Sequence, residues 1–188
     1  MIAMTLGEIA TVMSGEIHGD LNKTATLSAS AQFHFDSRQI VKGDVFIALL
    51  GENADGHDFV GDAIKNGAAF SIVTKEVQGP HILVTDVLSS LGNLAHHVRN
   101  AIPGLRVIGI TGSQGKTTTK DLLRHMLSQH GETVAPFGNY NNELGVPLTL
   151  LACSSATKYA VIEMGARHSG DIAHLASIAQ PDIAVVLR

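Results

Sequence analysis

The stretch that most limits how this chain can fold is VIGITGSQGKTTTK at residues 107–120, where an apolar β-branched run meets a glycine-bearing turn and then Gly115-Lys116-Thr117. A strand, a tight loop and a helix satisfy that order. The helix start then turns backbone N–H groups toward the loop, where an anion is favoured. The glycine spacing departs from the common phosphate loop G-x-x-x-x-G-K-[ST]: Gly112 stands too near Gly115, and Gly109 too far. The strand–turn–helix context still reads as a phosphate-binding loop. Gly112, Ser113, Gln114, Gly115, Lys116, Thr117 and Thr118 would cradle a phosphate, with Lys116 reaching the β and γ phosphates and Thr117 turning its hydroxyl to Mg²⁺.

Around this loop the pattern alternates strand and helix: strand 106–110, helix 116–130, strands 133–137 and 159–164, helix 170–179 and strand 182–187. That alternation implies a parallel sheet with covered faces. The N-terminal part reads differently. Thr5 and Glu8 form a capping box ahead of a short helix that Gly15 would stop. DVFIALL at 44–50 reads as a buried strand, 57–67 as a helix ending at Gly67, and AAFSIVT and HILVTD as two more strands. The spacing of Val87, Leu88, Leu91, Leu94, Ala95 and Val98 predicts a helix over 86–102, closed by Pro103-Gly104. The expected fold is therefore α/β. A small α/β domain covers 1–84, a bridging helix and turn 85–105, and a partial parallel-sheet phosphate-loop domain 106–188.

Composition removes several classes of partner. The 188 residues carry a formal net charge of −4 with no block of Lys or Arg, which gives no electrostatic footprint for nucleic acid or an anionic membrane. No apolar run is long enough to span a bilayer, and the N-terminus lacks the basic start of a signal peptide. Cys153 is the single cysteine, so a disulfide within the chain is excluded and a reducing cytoplasm is expected.

Beyond the loop, Glu163 ends the strand YAVIEMG at the sheet edge where ligands bind in open α/β folds, and reads as the Mg²⁺ carboxylate. The segment GNYNNELGVPLTLL at 138–151 is a turn-rich loop or a substrate-facing one, and its residues leave both open. Arg38, beside Ser37, reads by itself as a solvated turn arginine. The ten histidines are scattered, His96 and His97 face apart, and all are read as structural.

These motifs resemble the Mur ligases of peptidoglycan synthesis. TGSQGKTT at 111–118 matches that family's short loop T-G-[ST]-x-G-K-[ST]-[ST], and residues 36–73, from DSRQIVKGD to AAFSIV, look like its uridine-nucleotide-binding domain. GNYNNELGVPLTLL and VIEMGARHSGDI are similar to the G-N-x-N-N-x-x-G-x-P-L-T and E-M-G-x-x-x-x-G-[ED]-I patterns of the D-alanyl-D-alanine-adding members. The tripeptide-forming relatives carry E-V-S-S-H at that acid instead.

The resemblance implies an ATP-dependent amide ligase that joins D-alanyl-D-alanine to UDP-N-acetylmuramoyl-tripeptide through an acyl phosphate, with ATP and Mg²⁺ required. Lys116 and Glu163 would be catalytic, and Thr117 and Glu163 would hold the metal. Ser37 and Arg38 would hold the uridine diphosphate, with Asn139 and Asn142 near the muramoyl group or the reacting phosphate. It further implies small-molecule partners only, a monomeric full-length protein and a cytoplasmic location.

Two departures accompany it. Gln114 stands where the family has Asn, and the family's later N-[VI]-G-x-A-H segment, adenine contacts and dipeptide-binding domain do not follow PDIAVV. The expectation is a shortened form that binds UDP-linked substrate and phosphates but is inactive alone. The rival readings are a nucleotide-binding module without catalysis, and another amide ligase of the superfamily, of the folylpolyglutamate or cyanophycin type.

Overall fold

Thr5 opens the first helix, α1 (Leu6–Val12), through the reciprocal cap its sequence calls for. The Glu8 backbone N–H donates to Thr5 Oγ1 at 3.2 Å, and the Thr5 backbone N–H donates to Glu8 Oε2 at 2.7 Å. Two helix-end donors that water would otherwise hold are satisfied, a gain of about 1 kcal/mol. The turn after α1 differs from expectation: Ser14 takes the left-handed conformation at φ 53°. Gly15 is needed for space instead, because a Cβ there would meet Ile82 Cγ2 at 2.6 Å.

The computed structural model describes every residue except Asn53, Phe137 and Asn139, and falls into two compact units that part between Ser90 and Leu91. The first unit holds a five-stranded sheet of β1 (Glu16–His18), β2 (Phe33–His34), β3 (Val45–Ile47), β4 (Phe70–Val73) and β5 (His81–Leu83). Their order is β1-β5-β4-β3-β2, with β1 antiparallel to β5 and the other pairs parallel. Phe46, Ile47, Phe70 and Ile72 are fully buried in it, which is why the 44–50 and 68–74 runs read as continuous apolar strands. Asp44 is buried at the entry to β3. Its two carboxylate oxygens accept from the backbone N–H groups of Gln32 and Val41, so the charge is held by peptide dipoles.

The helix expected over 57–67 is two elements: a 3-10 turn (Gly56–Phe59) and then α2 (Val60–Lys65). Asp55 caps the turn by accepting from His57 N at 3.0 Å, and His57 Nε2 in turn accepts from Thr74 N at 3.0 Å. Lys75, 2.6 Å away, and the His57 contacts hold the Asp55 carboxyl well below the usual carboxylate range. β1 and β2 are too short and polar to announce themselves in the sequence.

The boundary between units falls within α3 (Val87–Ala101). The second unit carries β6 (Arg106–Gly112), α4 (Lys116–Leu127), β7 (Glu132–Val134), α5 (Gly145–Leu151), β8 (Thr157–Glu163), α6 (Asp171–Ala179) and β9 (Ile183–Leu187). Its sheet is parallel throughout, ordered β7-β8-β6-β9. The expected α/β class, with a parallel sheet in the second unit, is what forms. β6 is central and apolar on both faces, with Val107 and Ile110 fully buried.

One helix was not foreseen. α5 hides inside GNYNNELGVPLTLL because its Pro147 lies in the first turn, where no intrahelical N–H bond is lost. The side chain of Asn142 starts it, accepting from Gly145 N at 3.0 Å. Behind α5, burial pushes the Cys153 thiol up to about 12. Among the described residues no helix is long and apolar enough to cross a membrane.

Candidate phosphate and metal site

β6 and β8 are hydrogen-bonded neighbours with Ile110 opposite Glu163, so the loop after β6 and the last residue of β8 meet at the C-terminal edge of the sheet. That edge is where α/β folds place ligands. At the loop, Gly112 has φ 140°, and a Cβ on it would lie 2.3 Å from the Leu187 carbonyl oxygen. Only glycine fits. Gly115 is left-handed at φ 79° and forms the N-cap of α4, which lets Lys116 and Thr117 begin the helix with their amides toward the loop. Lys116 Nζ donates to the Gly112 carbonyl at 2.6 Å, and Gln114 N to the Arg188 carbonyl at 3.2 Å. Ser113 lies between them in the loop, and Thr118 in the first turn of α4.

Glu163 is 1% exposed and takes two neutral donors. The Thr117 hydroxyl reaches its Oε2 at 3.0 Å, and the Asn141 amide reaches its Oε1 at 2.9 Å. A buried carboxylate is costly unless paired or ligating, and no cation stands against this one among the described residues. Hydroxyl, carboxylate and amide oxygens are the hard donors that Mg²⁺ prefers. The residues present therefore fit a Mg²⁺–nucleotide: Thr117 and Glu163 would hold the ion, and the amides of Ser113, Gly115, Lys116 and Thr117 the phosphates, the Gln114 N–H being taken by the Arg188 carbonyl.

Asn141 was passed over as a site residue in favour of its neighbours. Its position is fixed by Gly165, whose N–H donates to the Asn141 carbonyl at 2.7 Å and whose missing side chain leaves room for the Asn141 amide. Lys120 is a second residue that sequence reasoning missed. It is buried on α4, with Nζ donating to the carbonyls of Pro136 at 3.2 Å and Gly138 at 3.0 Å. Its signal was spacing: it follows Lys116 by one helical turn. The Asn142 side chain accepts from the Gly145 N–H at the start of α5, and Asn139 lies outside the described residues.

Ser37 and Arg38 lie in the first unit, in a 3-10 turn (Ser37–Gln39) capped by Asp36. Ser37 is buried, and its carbonyl accepts from Asn66 Nδ2 at 2.9 Å. The Arg38 side chain is 86% exposed and grips Asp36 with Nε at 2.8 Å and Nη2 at 2.7 Å. That fork holds the Asp36 carboxyl down to about 2.

Sequence comparison names the class these features define. Residues 33–110 match the Mur ligase family catalytic domain and residues 110–188 the Mur ligase middle domain. The chain belongs to the Mur ligase family. Among its relatives is the UDP-N-acetylmuramoyl-tripeptide–D-alanyl-D-alanine ligase of Mycobacterium bovis, 41% identical over 100% of this chain and 42% of the relative. The crystal structure of MurF from Acinetobacter baumannii superposes with a TM-score of 0.87 at 36% identity, covering 98% of this chain and 40% of that one. MurF from Thermotoga maritima, solved in complex with ADP, covers 84% of this chain and 37% of its own with a TM-score of 0.74 at 39% identity. The chain thus spans about two fifths of the length of the relatives it matches.

Proposed function

We propose that this chain supplies the uridine-nucleotide-binding and phosphate-binding parts of an ATP-dependent ligase that adds D-alanyl-D-alanine to UDP-N-acetylmuramoyl-tripeptide. The observation that carries the reading is the pairing of Thr117 Oγ1 with the buried Glu163 carboxylate at 3.0 Å, beside a glycine-built loop. The relatives bearing that activity match from one end of the chain to the other, and the ADP-bound neighbour supports a nucleotide here.

Mg²⁺–ATP, when bound, supplies the phosphoryl group that turns a carboxylate into an electrophile. The chain's own residues position and neutralise. Lys116, which here donates to the Gly112 carbonyl, would reach a phosphate oxygen, and the amides of Ser113, Gly115, Lys116 and Thr117, with Thr118 behind them, would hold the phosphates at the positive end of α4, the Gln114 N–H joining them only if it left the Arg188 carbonyl. Thr117 and Glu163 would hold the metal, and Asn141 fixes the carboxylate by donating to its Oε1. Asn142 would act near the muramoyl group or the reacting phosphate, the role that the family resemblance gives to Asn139 as well. Arg38, released from Asp36, pairs with the uridine diphosphate beside Ser37. The proposed setting is the cytoplasm.

Calorimetry with ADP and Mg²⁺ tests the phosphate site. Binding by the wild-type chain and at least tenfold weaker binding by Lys116→Ala are expected, and equal affinities would refute the loop's role. Phosphate release with ATP, UDP-muramoyl-tripeptide and D-alanyl-D-alanine separates a ligase from a binding module.

A further inference from the structure

Three residues of the first unit meet without any part in the site above. His18 on β1 and His81 on β5 are direct partners in the antiparallel pair, so their side chains leave the same face of the sheet. Their rings stack with centroids 5.0 Å apart and planes inclined by 8°. Glu76, in the connection between β4 and β5, sets one oxygen against each ring. Oε1 lies 3.3 Å from His18 Nδ1, and Oε2 lies 3.3 Å from His81 Nε2.

We propose that His18, Glu76 and His81 form a binding site for a divalent transition-metal ion of the zinc class.

The strongest observation is the state of His81. Its side chain is 2% exposed, and Nδ1 lies 2.9 Å from the Gly79 carbonyl oxygen. A carbonyl can only accept, so Nδ1 carries a proton, and in the neutral ring the lone pair then falls on Nε2. That nitrogen is buried, makes no hydrogen bond, and faces Glu76 and His18. A buried acceptor without a donor is costly and rare. A metal ion satisfies it where a carboxylate, itself an acceptor, does not. The Nδ1–H to carbonyl bond is also the contact that fixes tautomer and ring orientation in metal-bound histidines.

The spacing agrees. Ligand atoms at zinc–nitrogen and zinc–oxygen lengths around a tetrahedral ion lie about 3.4 Å apart. Two of the three pairs here stand at 3.3 Å, and all three atoms lie within 4.8 Å of one another. Bringing the two nitrogens together requires only that His18, the more exposed ring, turn out of its stack. Its other nitrogen, Nε2, lies 3.7 Å from Glu16 Oε2, a carboxylate placed to receive the N–H once Nδ1 binds metal. Two imidazoles and one carboxylate select zinc, nickel or copper over Mg²⁺, whereas the oxygen donors around Glu163 select the reverse. The ion would fasten β1, paired in the sheet to β5 alone, to that neighbour and to the β4–β5 connection.

The test is titration of the 188-residue chain with zinc chloride by calorimetry, in millimolar Mg²⁺ so that the hard-donor site is filled. One equivalent at micromolar affinity or better is expected, weakened at least tenfold in His18→Ala and in Glu76→Gln, both at partly exposed positions where folding is retained. Imidazole nitrogen NMR of the wild-type chain is the second readout: zinc should shift His81 Nε2 and His18 Nδ1 before any other histidine. Absence of stoichiometric binding, undiminished affinity in the two variants, or shifts confined to other histidines would each overturn the proposal.

Discussion

Both units carry charged residues that sequence reasoning assigned to ligands, and Arg38 in the first and Glu163 in the second are held in opposite ways. In the first unit Arg38 is exposed and already forked onto Asp36 two residues away. In the second, Glu163 is buried and receives only neutral donors, from Thr117 and Asn141. An exposed ion pair is worth little and asks for nothing. A buried carboxylate with neutral partners leaves a charge to be balanced, and so points to a cation. Of the two, Glu163 is the charge with no opposite partner among the described residues.

The largest effect that could break this comparison concerns the backbone on which each site is built. Gly112→Ala forces a Cβ into the Leu187 carbonyl at a φ of 140°, and should cost roughly 3 kcal/mol in urea unfolding. Gly43→Ala in the first unit has φ 96° but nothing within 4 Å, and should cost about 1 kcal/mol. Equal costs would mean that the loop around Gly112 yields. Next in size, Asn141→Ala removes one donor from the buried Glu163 carboxylate. Roughly 1–2 kcal/mol of stability should be lost in chelator and partly regained in Mg²⁺. A loss that Mg²⁺ leaves unchanged would make Asn141 a packing residue only.

A third measurement turns on acid. The Asp55 carboxyl is depressed in the folded chain, chiefly by Lys75 and then by His57. Its stabilising contribution is therefore complete above the unfolded value near ~4 and is lost as pH falls below it. Asp55→Asn should flatten the acid limb of a stability–pH curve, and an unchanged limb would remove the pair from the account. Smallest of all, Arg38→Ala should leave the urea midpoint where it was while weakening a uridine nucleotide titrated by calorimetry. A shifted midpoint with unaltered nucleotide affinity would make Arg38 structural.

Much of the fold was legible because its strands are apolar on both faces and its helices have plain ends. Val107, Ile110, Ala160 and Ile162 in the second sheet announce central strands, and Thr5 with Glu8 announces α1. Thr117 and Glu163 could be picked out as candidates because loop and strand end are local signals, and the structure sets them 3.0 Å apart. What stayed hidden depends on contacts distant in sequence. α5 was masked by Gly145 and Pro147, whose local meaning is a turn. Asn141 could not be told from Asn139 and Asn142 until Glu163 stood beside it. His18 and His81 read as scattered because an antiparallel ladder brings them together across most of the first unit.

Lys120 has a consequence for how two loops are tied together. It stands one turn beyond Lys116 on the same face of α4, and it grips the carbonyls of Pro136 and Gly138 just ahead of Asn141. α4 is thus a yoke with the phosphate loop at one end of its first two turns and the approach to Asn141 at the other. One buried ammonium so joins, through two turns of a single helix, two stretches of backbone that lie some twenty residues apart in sequence.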